Sequence, residues 1–342
     1  MVNITQTLDT EAVATYLAAH LPGFEGPVEA RKFAGGQSNP TFLLTAPSGR
    51  YVLRRKPPGQ LLKSAHAVDR EFRVQSALSG SDVPVAKMHL LCEDESVIGS
   101  MFYVMDHVDG RSFFDPRLED LPRADRAPII DELNRVLAAL HSVDIEAAGL
   151  ADYSPPGDYF ARQIDRWAKQ YRAAETECIP AMDKLIEELP QRMPPDDGQR
   201  TLVHGDYRLD NLLFAKNWPS CLAVLDWELS TIGHPFADLA GVIMQWRMPV
   251  GAEGRGLAGV DRVAQGLPSD EAFIARYCAR RGLTHIPDFG FYLAFTFFRM
   301  AGILQGVKKR ALSGNASDVE HGLKMGALAP SFARQGMEAL DG

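Results

Sequence analysis

Cysteine pairs, a surplus of positive charge and long uninterrupted apolar runs are scarce in this 342-residue chain. The whole cysteine complement is Cys92, Cys178, Cys221 and Cys278, and no two stand close together. That spacing excludes CxxC and zinc-knuckle chemistry and points to four free thiols in a reducing, cytoplasmic compartment. Lys and Arg total 36 against 44 Asp and Glu, a net charge of -8. A general nucleic-acid binder needs a basic footprint, so no nucleic-acid partner is expected. The opening residues MVNITQTLDTEAV lack a basic start followed by an apolar run, so no secretory signal is read there. One stretch, FGFYLAFTFFRMAGILQGV at 289–307, is apolar enough to be tested as a membrane span. Arg299 sits in its middle, where a charge in lipid is costly, so a buried helix is expected and no membrane insertion. Neither an internal repeat nor a low-complexity segment stands out.

Hydrophobic residues make up 46% and charged residues 23%, as in ordinary globular proteins. The length suits two packed lobes better than one core. Asp9 to His20 has helical spacing, with Val13, Leu17 and Leu21 on one side and Asp9 or Thr10 as the cap. The pattern then shortens to three strands between Val28 and Leu53. Their turns are the Gly35-Gly36 region and Pro47-Ser48-Gly49. A helix from Ala67 to Leu78 and two more strands, MHLLCED and SMFYVMDHV, complete a small lobe over residues 1–106. Residues 107–342 read as a larger, mainly helical lobe, with helices at Pro128–Ser142 and Tyr159–Arg172. The fold class is therefore α+β.

Two short apolar runs interrupt the second lobe. LVHGD ends on Asp206 and AVLDW carries Asp226, twenty residues later. If the two runs are adjacent strands, their ends bring both acids to one cleft. Phosphoryl transfer needs such a set: one carboxylate orients the acceptor hydroxyl, while a second carboxylate and an amide oxygen hold magnesium against the phosphates. Asp206, Asp226 and Asn211 fit those roles. In the N-terminal lobe, AGGQSNPTF at 34–42 lies between two strands, and its glycines allow backbone amides to approach phosphate oxygens. Gly35, Gly36, Ser38 and Asn39 are the candidate phosphate-binding residues there.

His204-Gly205-Asp206, four further residues, Asn211, and then LDWE at 225–228 resemble the aminoglycoside phosphotransferase and choline kinase-like family, relatives of the protein kinases. The resemblance spans roughly residues 28–310. It implies a two-lobed protein-kinase-like fold and a small-molecule kinase using ATP or GTP with Mg2+. Asp206 would be the catalytic carboxylate, and Asn211 and Asp226 the metal ligands. It implies further that His204 braces the catalytic loop and that Asp238 bonds that loop's backbone. The protein-kinase pattern has Lys on the third strand; here YVLR places Arg54 in that register and Arg55 on the opposite face. Glu71 would be the partner of Arg54. Met105 to Val108 would form the hinge against the base, with Val52 and Tyr103 beside it. Glu228 is a further acid two residues past Asp226.

The acceptor is less legible. Arg208, Arg247, Arg299, Lys308, Lys309 and Arg310 suit an anionic acceptor better than a polycation. FAGGQSNPTFLL, YVLRRKPPG, MFYVMDHVDGR and HGDYRLDNLLF resemble most closely the kinase-like domain associated with acyl-CoA dehydrogenases. This implies a hydroxyacyl-CoA as the small-molecule hydroxyl acceptor. An aminoglycoside-type antibiotic kinase and a nucleotide-binding pseudokinase or regulatory module are the alternatives. A homodimer is left open.

Overall fold

The computed structural model describes residues 8–33, 39–57, 67–251, 255–315 and 318–342. The first elements in chain order are α1 (Thr10–His20), β1 (Glu29–Lys32), β2 (Thr41–Ala46), β3 (Gly49–Arg55), α2 (Val68–Ala77), β4 (Met88–Cys92) and β5 (Phe102–Asp106). Next come α3 (Arg123–Leu140), α4 (Tyr159–Ala174), α5 (Pro180–Gln191), β6 (Thr201–Val203), β7 (Leu212–Phe214), β8 (Cys221–Val224) and β9 (Thr231–Gly233). The chain continues with α6 (Phe236–Trp246), α7 (Arg262–Gln265), α8 (Asp270–Arg281), α9 (Phe289–Leu312), α10 (Val319–Gly326) and α11 (Ala329–Asp341).

Two compact units emerge. One comprises Met1–Ser112, Glu146–Leu150 and Asn211–Ser230; the other comprises Phe113–Ile145, Ala151–Asp210 and Thr231–Gly342. The first is built on an antiparallel sheet in the order β1-β2-β3-β5-β4. Strand alternation divides its core. Leu53 on β3 and Phe102 and Val104 on β5 face Val13 and Leu17 of α1. Val52 on β3 and Tyr103 and Met105 on β5 face the other way, against Val68 of α2. Asp9 caps α1, its carboxylate accepting the Ala12 N–H at 2.9 Å. The three early strands, the helix after them and the β4/β5 pair all form where the sequence patterning places them. So do the helix cap and the opposed directions of Arg54 and Arg55, the latter lying over the Phe42 ring.

The second unit is mainly helical. Its helix α9 holds the 289–307 stretch, and Phe291, Leu293, Phe295, Phe297, Phe298 and Leu304 are buried. Helices α4, α6, α10 and α11 cover it. Its length and composition would also suit a membrane crossing, but 67% of its most apolar window is inside the protein.

Three local expectations are corrected. Helix α3 begins at Arg123, five residues before the expected Pro128, which lies inside the helix. Proline removes one backbone donor without stopping a helix whose other bonds and apolar face remain. Helix α5 was not anticipated; its buried Met182, Leu185 and Leu189 are spread thinly among charges. Most important for the site, β6 and β8 are not neighbours. β6 pairs with β9, and β7 pairs with β8, in separate two-stranded sheets. The Thr231–Gly233 segment, too short to read as a strand, is what takes the place beside β6.

Candidate active site

In the first unit the site is organised by the β7–β8 ribbon. Leu212 pairs with Val224, so the residues just outside this pair meet at one end. Asn211 precedes Leu212 and Asp226 lies two beyond Val224. The Leu225 N–H donates to the Asn211 carbonyl at 2.8 Å, fastening the two positions together. Asn211 is buried and the Asp226 side chain is 37% exposed. Asp226 has φ of 64°, the left-handed region that a non-glycine residue rarely occupies. Such strain is held only where surrounding structure over-determines it. Here the next turn supplies that structure: Trp227 is buried, its Nε1–H donates to the Val224 carbonyl at 2.9 Å, and Ser230 Oγ donates to Trp227 O. Arg70 of α2 also reaches the Ser230 carbonyl.

Arg54 joins this ribbon to the sheet. Its Nε lies 3.0 Å from Glu71 Oε2, and its Nη2 donates to Asp226 Oδ1 at 2.9 Å. Glu228 Oε2 is 3.6 Å from the same Nη2. A planar guanidinium can hold two carboxylates in fixed geometry, which a lysine ammonium does less well. Burial alone would lower the Arg54 pKa; Glu71, Tyr103 and Asp226 outweigh it and keep the group protonated. Glu71 is nearly sealed from solvent. It accepts from Asn39 Nδ2 at 2.8 Å and from the Tyr103 hydroxyl at 3.2 Å. Burial pushes its carboxyl up to about 7, against the opposing pull of Arg54 and with Asp226 and Glu228 adding to the rise.

A raised carboxyl pKa stabilises the fold fully below the unfolded value of 4.5, and that contribution is lost as pH rises through about 7. Between pH 5 and pH 8, in EDTA and without nucleotide, the melting temperature of the wild type is therefore expected to fall relative to Glu71→Gln. Parallel melting curves for the two proteins across this range would refute the assignment.

A second group of candidate residues belongs to the second unit, just after β6. Asp238, near the start of α6, is buried and accepts the His204 N–H at 2.6 Å and the Gly205 N–H at 2.9 Å. Burial alone would push its carboxyl up; bonding with His141 and the charge and backbone N–H of His204 outweigh this and hold it below the usual range. His141 links Asp238, at 3.5 Å, to the Tyr277 hydroxyl, at 2.7 Å. His204 is fully buried, and its Nδ1 accepts the Asp206 N–H at 3.3 Å. The brace expected of His204 and the backbone contact expected of Asp238 are thus present. Asp238→Ala leaves two donors without their acceptor and is expected to cost about 3 kcal/mol in urea unfolding. Asp238→Asn, which keeps one acceptor oxygen, should cost less; equal midpoints for all three proteins would show that the carboxylate does not hold the loop.

Asp206 itself projects beyond these contacts, its side chain 36% exposed. Arg208 Nε lies 3.3 Å from Asp206 Oδ2 and 3.2 Å from Asp210 Oδ1. Arg255 extends the chain of charges, donating to Asp210 Oδ2 at 2.7 Å while its guanidinium stacks 3.7 Å from the centre of the exposed Phe114 ring.

Other candidates fall as follows. Gly35, Gly36 and Ser38 lie outside the described residues. Asn39 does not project from the loop, as its expected phosphate contact required; it is fully buried with its amide turned to Glu71. Met105 and Val108 belong to the apolar cluster of Val52 and Tyr103. The intervening Asp106 and His107 N–H groups are bonded to Lys87 O and Arg50 O. The sequence reading missed His141, Tyr277 and the Arg255–Phe114 pair. Neither buried histidines nor loop arginines carry a motif, and only the fold brings them to Asp238 and Asp210.

The five-stranded antiparallel sheet with its helical companion unit is the α+β, kinase-like architecture of the aminoglycoside phosphotransferases. Residues 29–284 match the phosphotransferase enzyme family, and the chain belongs to that family. A crystal structure of a candidate aminoglycoside phosphotransferase from Ralstonia eutropha superimposes with a TM-score of 0.90 at 49% identity, covering 98% of this chain and 99% of the other. Aminoglycoside phosphotransferase APH(4)-Ia, in ternary complex with AMP-PNP and hygromycin B, shares the fold at a TM-score of 0.63 and 16% identity, over 96% and 98% of the two chains. Among curated proteins, mouse acyl-CoA dehydrogenase family member 10 is 44% identical over 331 residues, which is 96% of this chain and 31% of the relative. Human acyl-CoA dehydrogenase family member 11 is 43% identical over 337 residues, 96% of this chain and 43% of the relative. The chain thus spans less than half the length of these curated relatives.

Proposed function

We propose that this phosphotransferase moves the γ-phosphate of ATP or GTP to the hydroxyl of a small anionic acceptor, with Asp206 as the catalytic carboxylate. The observation that carries the reading is the pairing of Asn211 and Asp226 at one end of the β7–β8 ribbon, tied through Arg54 to Glu71. Among the described residues no three His, Cys, Asp or Glu side chains gather as a metal cage. That suits Mg2+, which is held by one or two protein oxygens together with substrate phosphates and water. Asn211 and Asp226 are the residues that would hold it, and when bound it would neutralise charge on the phosphates. Arg54 contributes a guanidinium for the phosphates, kept in place by Glu71. Asp206 orients the acceptor hydroxyl and takes its proton as the oxygen attacks phosphorus, and the nucleoside diphosphate leaves in line.

For the acceptor we favour a hydroxyacyl-CoA. The relatives named as acyl-CoA dehydrogenase family members support it, as do Arg208 and Arg255 beside Asp206 and Asp210. An aminoglycoside, being a polycation, would call for acids without these arginines. The four free cysteines fit a reducing, cytoplasmic setting. The test is ADP release from MgATP by purified protein over a panel of 3- and 4-hydroxyacyl-CoAs, choline, sugars and kanamycin. Turnover on a hydroxyacyl-CoA supports the reading. Turnover on kanamycin or choline alone replaces the acceptor, and nucleotide binding without any turnover points to a regulatory module.

A further inference from the structure

Arg299 is a charge in the middle of the long, apolar helix α9, between buried Phe298 and buried Ala301. A guanidinium in such surroundings is costly unless it is paired and hydrogen-bonded. Its Nη2 donates to the Gly205 carbonyl at 2.7 Å, and its guanidinium carbon lies 5.6 Å from the centre of the Trp167 ring on α4. Gly205 has φ of 83°, a left-handed conformation that glycine adopts without strain. The peptide that follows it carries the N–H of Asp206.

The contacts around that peptide are directional. Asp238 accepts the N–H groups of His204 and Gly205 from one side. His204 Nδ1 accepts the N–H of Asp206. Arg299 supplies the remaining element, a donor on the Gly205 oxygen. With the His204 imidazole on its N–H and a guanidinium on its carbonyl, the Gly205–Asp206 peptide plane is held from both ends, and Asp238 holds the two N–H groups before it. The direction in which Asp206 leaves the backbone follows from that plane. Glycine would otherwise leave the plane free to rotate, because it has no side chain to restrict it.

We infer that Arg299 is a positioning residue for Asp206: through the Gly205 carbonyl it fixes the peptide that aims the catalytic carboxylate. It acts through the loop, not on the nucleotide or the acceptor. The inference rests on Asp206 being the catalytic carboxylate, and the test separates the two. A misplacement of about 1 Å at a reacting group can cost on the order of 100-fold in rate. Arg299→Met is therefore expected to lower kcat for ADP release by about 10- to 100-fold, while the MgADP dissociation constant, by titration calorimetry, stays at the wild-type value. Guanidinium ion at millimolar concentration should recover part of the lost rate, because the vacated position is the size of the ion and lies against a carbonyl. A role in folding alone would give neither the split nor the rescue.

Wild type, Arg299→Met and Asp206→Asn are compared with MgATP and the acceptor that turns over, or with MgATP and water if no acceptor does. If Asp206→Asn is inactive and Arg299→Met keeps wild-type kcat, the positioning role is overturned and the catalytic role of Asp206 stands. If Asp206→Asn keeps wild-type kcat, or if the wild type releases no ADP, both are overturned. If Arg299→Met loses MgADP affinity in step with its rate, with no rescue, Arg299 is structural. Should Arg299→Met fail to fold, Arg299→Lys carries the test. An ammonium can donate to a carbonyl, but lysine is shorter and lacks the planar group that lies over Trp167, so reduced kcat with unchanged MgADP affinity supports the role and a loss of MgADP affinity in step with kcat overturns it.

Discussion

Asp206→Asn is expected to lower kcat for phosphate transfer by about 10²–10⁴-fold, the usual contribution of a positioned general base. Asparagine preserves the shape of the side chain and removes its capacity to accept a proton. The backbone around it should be unaffected, because the Asp206 N–H bonds His204 and the loop is held by Asp238, neither through the Asp206 carboxylate. MgADP affinity should also survive. The residues proposed for the nucleotide and its metal, Arg54, Asn211 and Asp226, belong to the other compact unit. The expected signature is thus a fall in kcat with little change in the nucleotide dissociation constant, the pattern of an interaction made chiefly in the transition state. The matching Asp226→Asn variant should behave differently, weakening MgADP binding itself. Calorimetric titration of both variants, beside steady-state ADP release, distinguishes them. Equal losses of nucleotide affinity in the two proteins would remove the division of labour on which the mechanism depends.

Part of the geometry of this candidate site is legible in the sequence, for a physical reason. Residues that work through local spacing leave local traces. His204, Asp206 and Asn211 are within eight residues of one another, and His204 bonds the backbone two positions on. Arg54 is identifiable because strand alternation separates it from Arg55. The Glu71 position follows from the first turn of a helix that begins at Val68. What the sequence could not disclose are contacts made by long-range topology. Strand β6 pairs with the three-residue β9, whose residues carry no strand signature alone, so the two acidic loops were wrongly given adjacent strands. Asn39 looks like an exposed loop residue until its burial against Glu71 is seen. Arg299 is intermediate. A charge in an apolar helix announces that a partner must exist, but only the fold names the Gly205 carbonyl as that partner.

The second large effect is expected at Arg54, and it is one of stability and binding together. Arg54 is in contact with Glu71 on one edge of its guanidinium and with Asp226 on the other. Arg54→Met fills the space with an apolar chain and leaves the buried Glu71 carboxylate facing Asp226 and Glu228 with no cation between. Breaking a buried pair by removing one partner costs on the order of 3–5 kcal/mol, because a charge is stranded. Glu71 has a partial escape, since its carboxyl already titrates at about 7 with Arg54 present and will titrate higher without it. Below that range it takes up a proton and the penalty shrinks. The cost in urea unfolding should therefore be largest near pH 8 and smaller near pH 6, an inversion of the usual loss of paired carboxylates in acid. Nucleotide affinity should fall by about 10- to 100-fold, as for the loss of one or two charge-assisted hydrogen bonds. Arg54→Lys tests whether charge alone suffices. A lysine should neutralise Glu71 and recover most of the stability, yet a single ammonium cannot bond Glu71 and Asp226 in the geometry of a planar fork. Stability restored without full kcat would show that the arginine is kept for its shape. Full recovery of both by lysine would show that only its charge matters, and a stability loss independent of pH would mean that Glu71 is not the group left stranded.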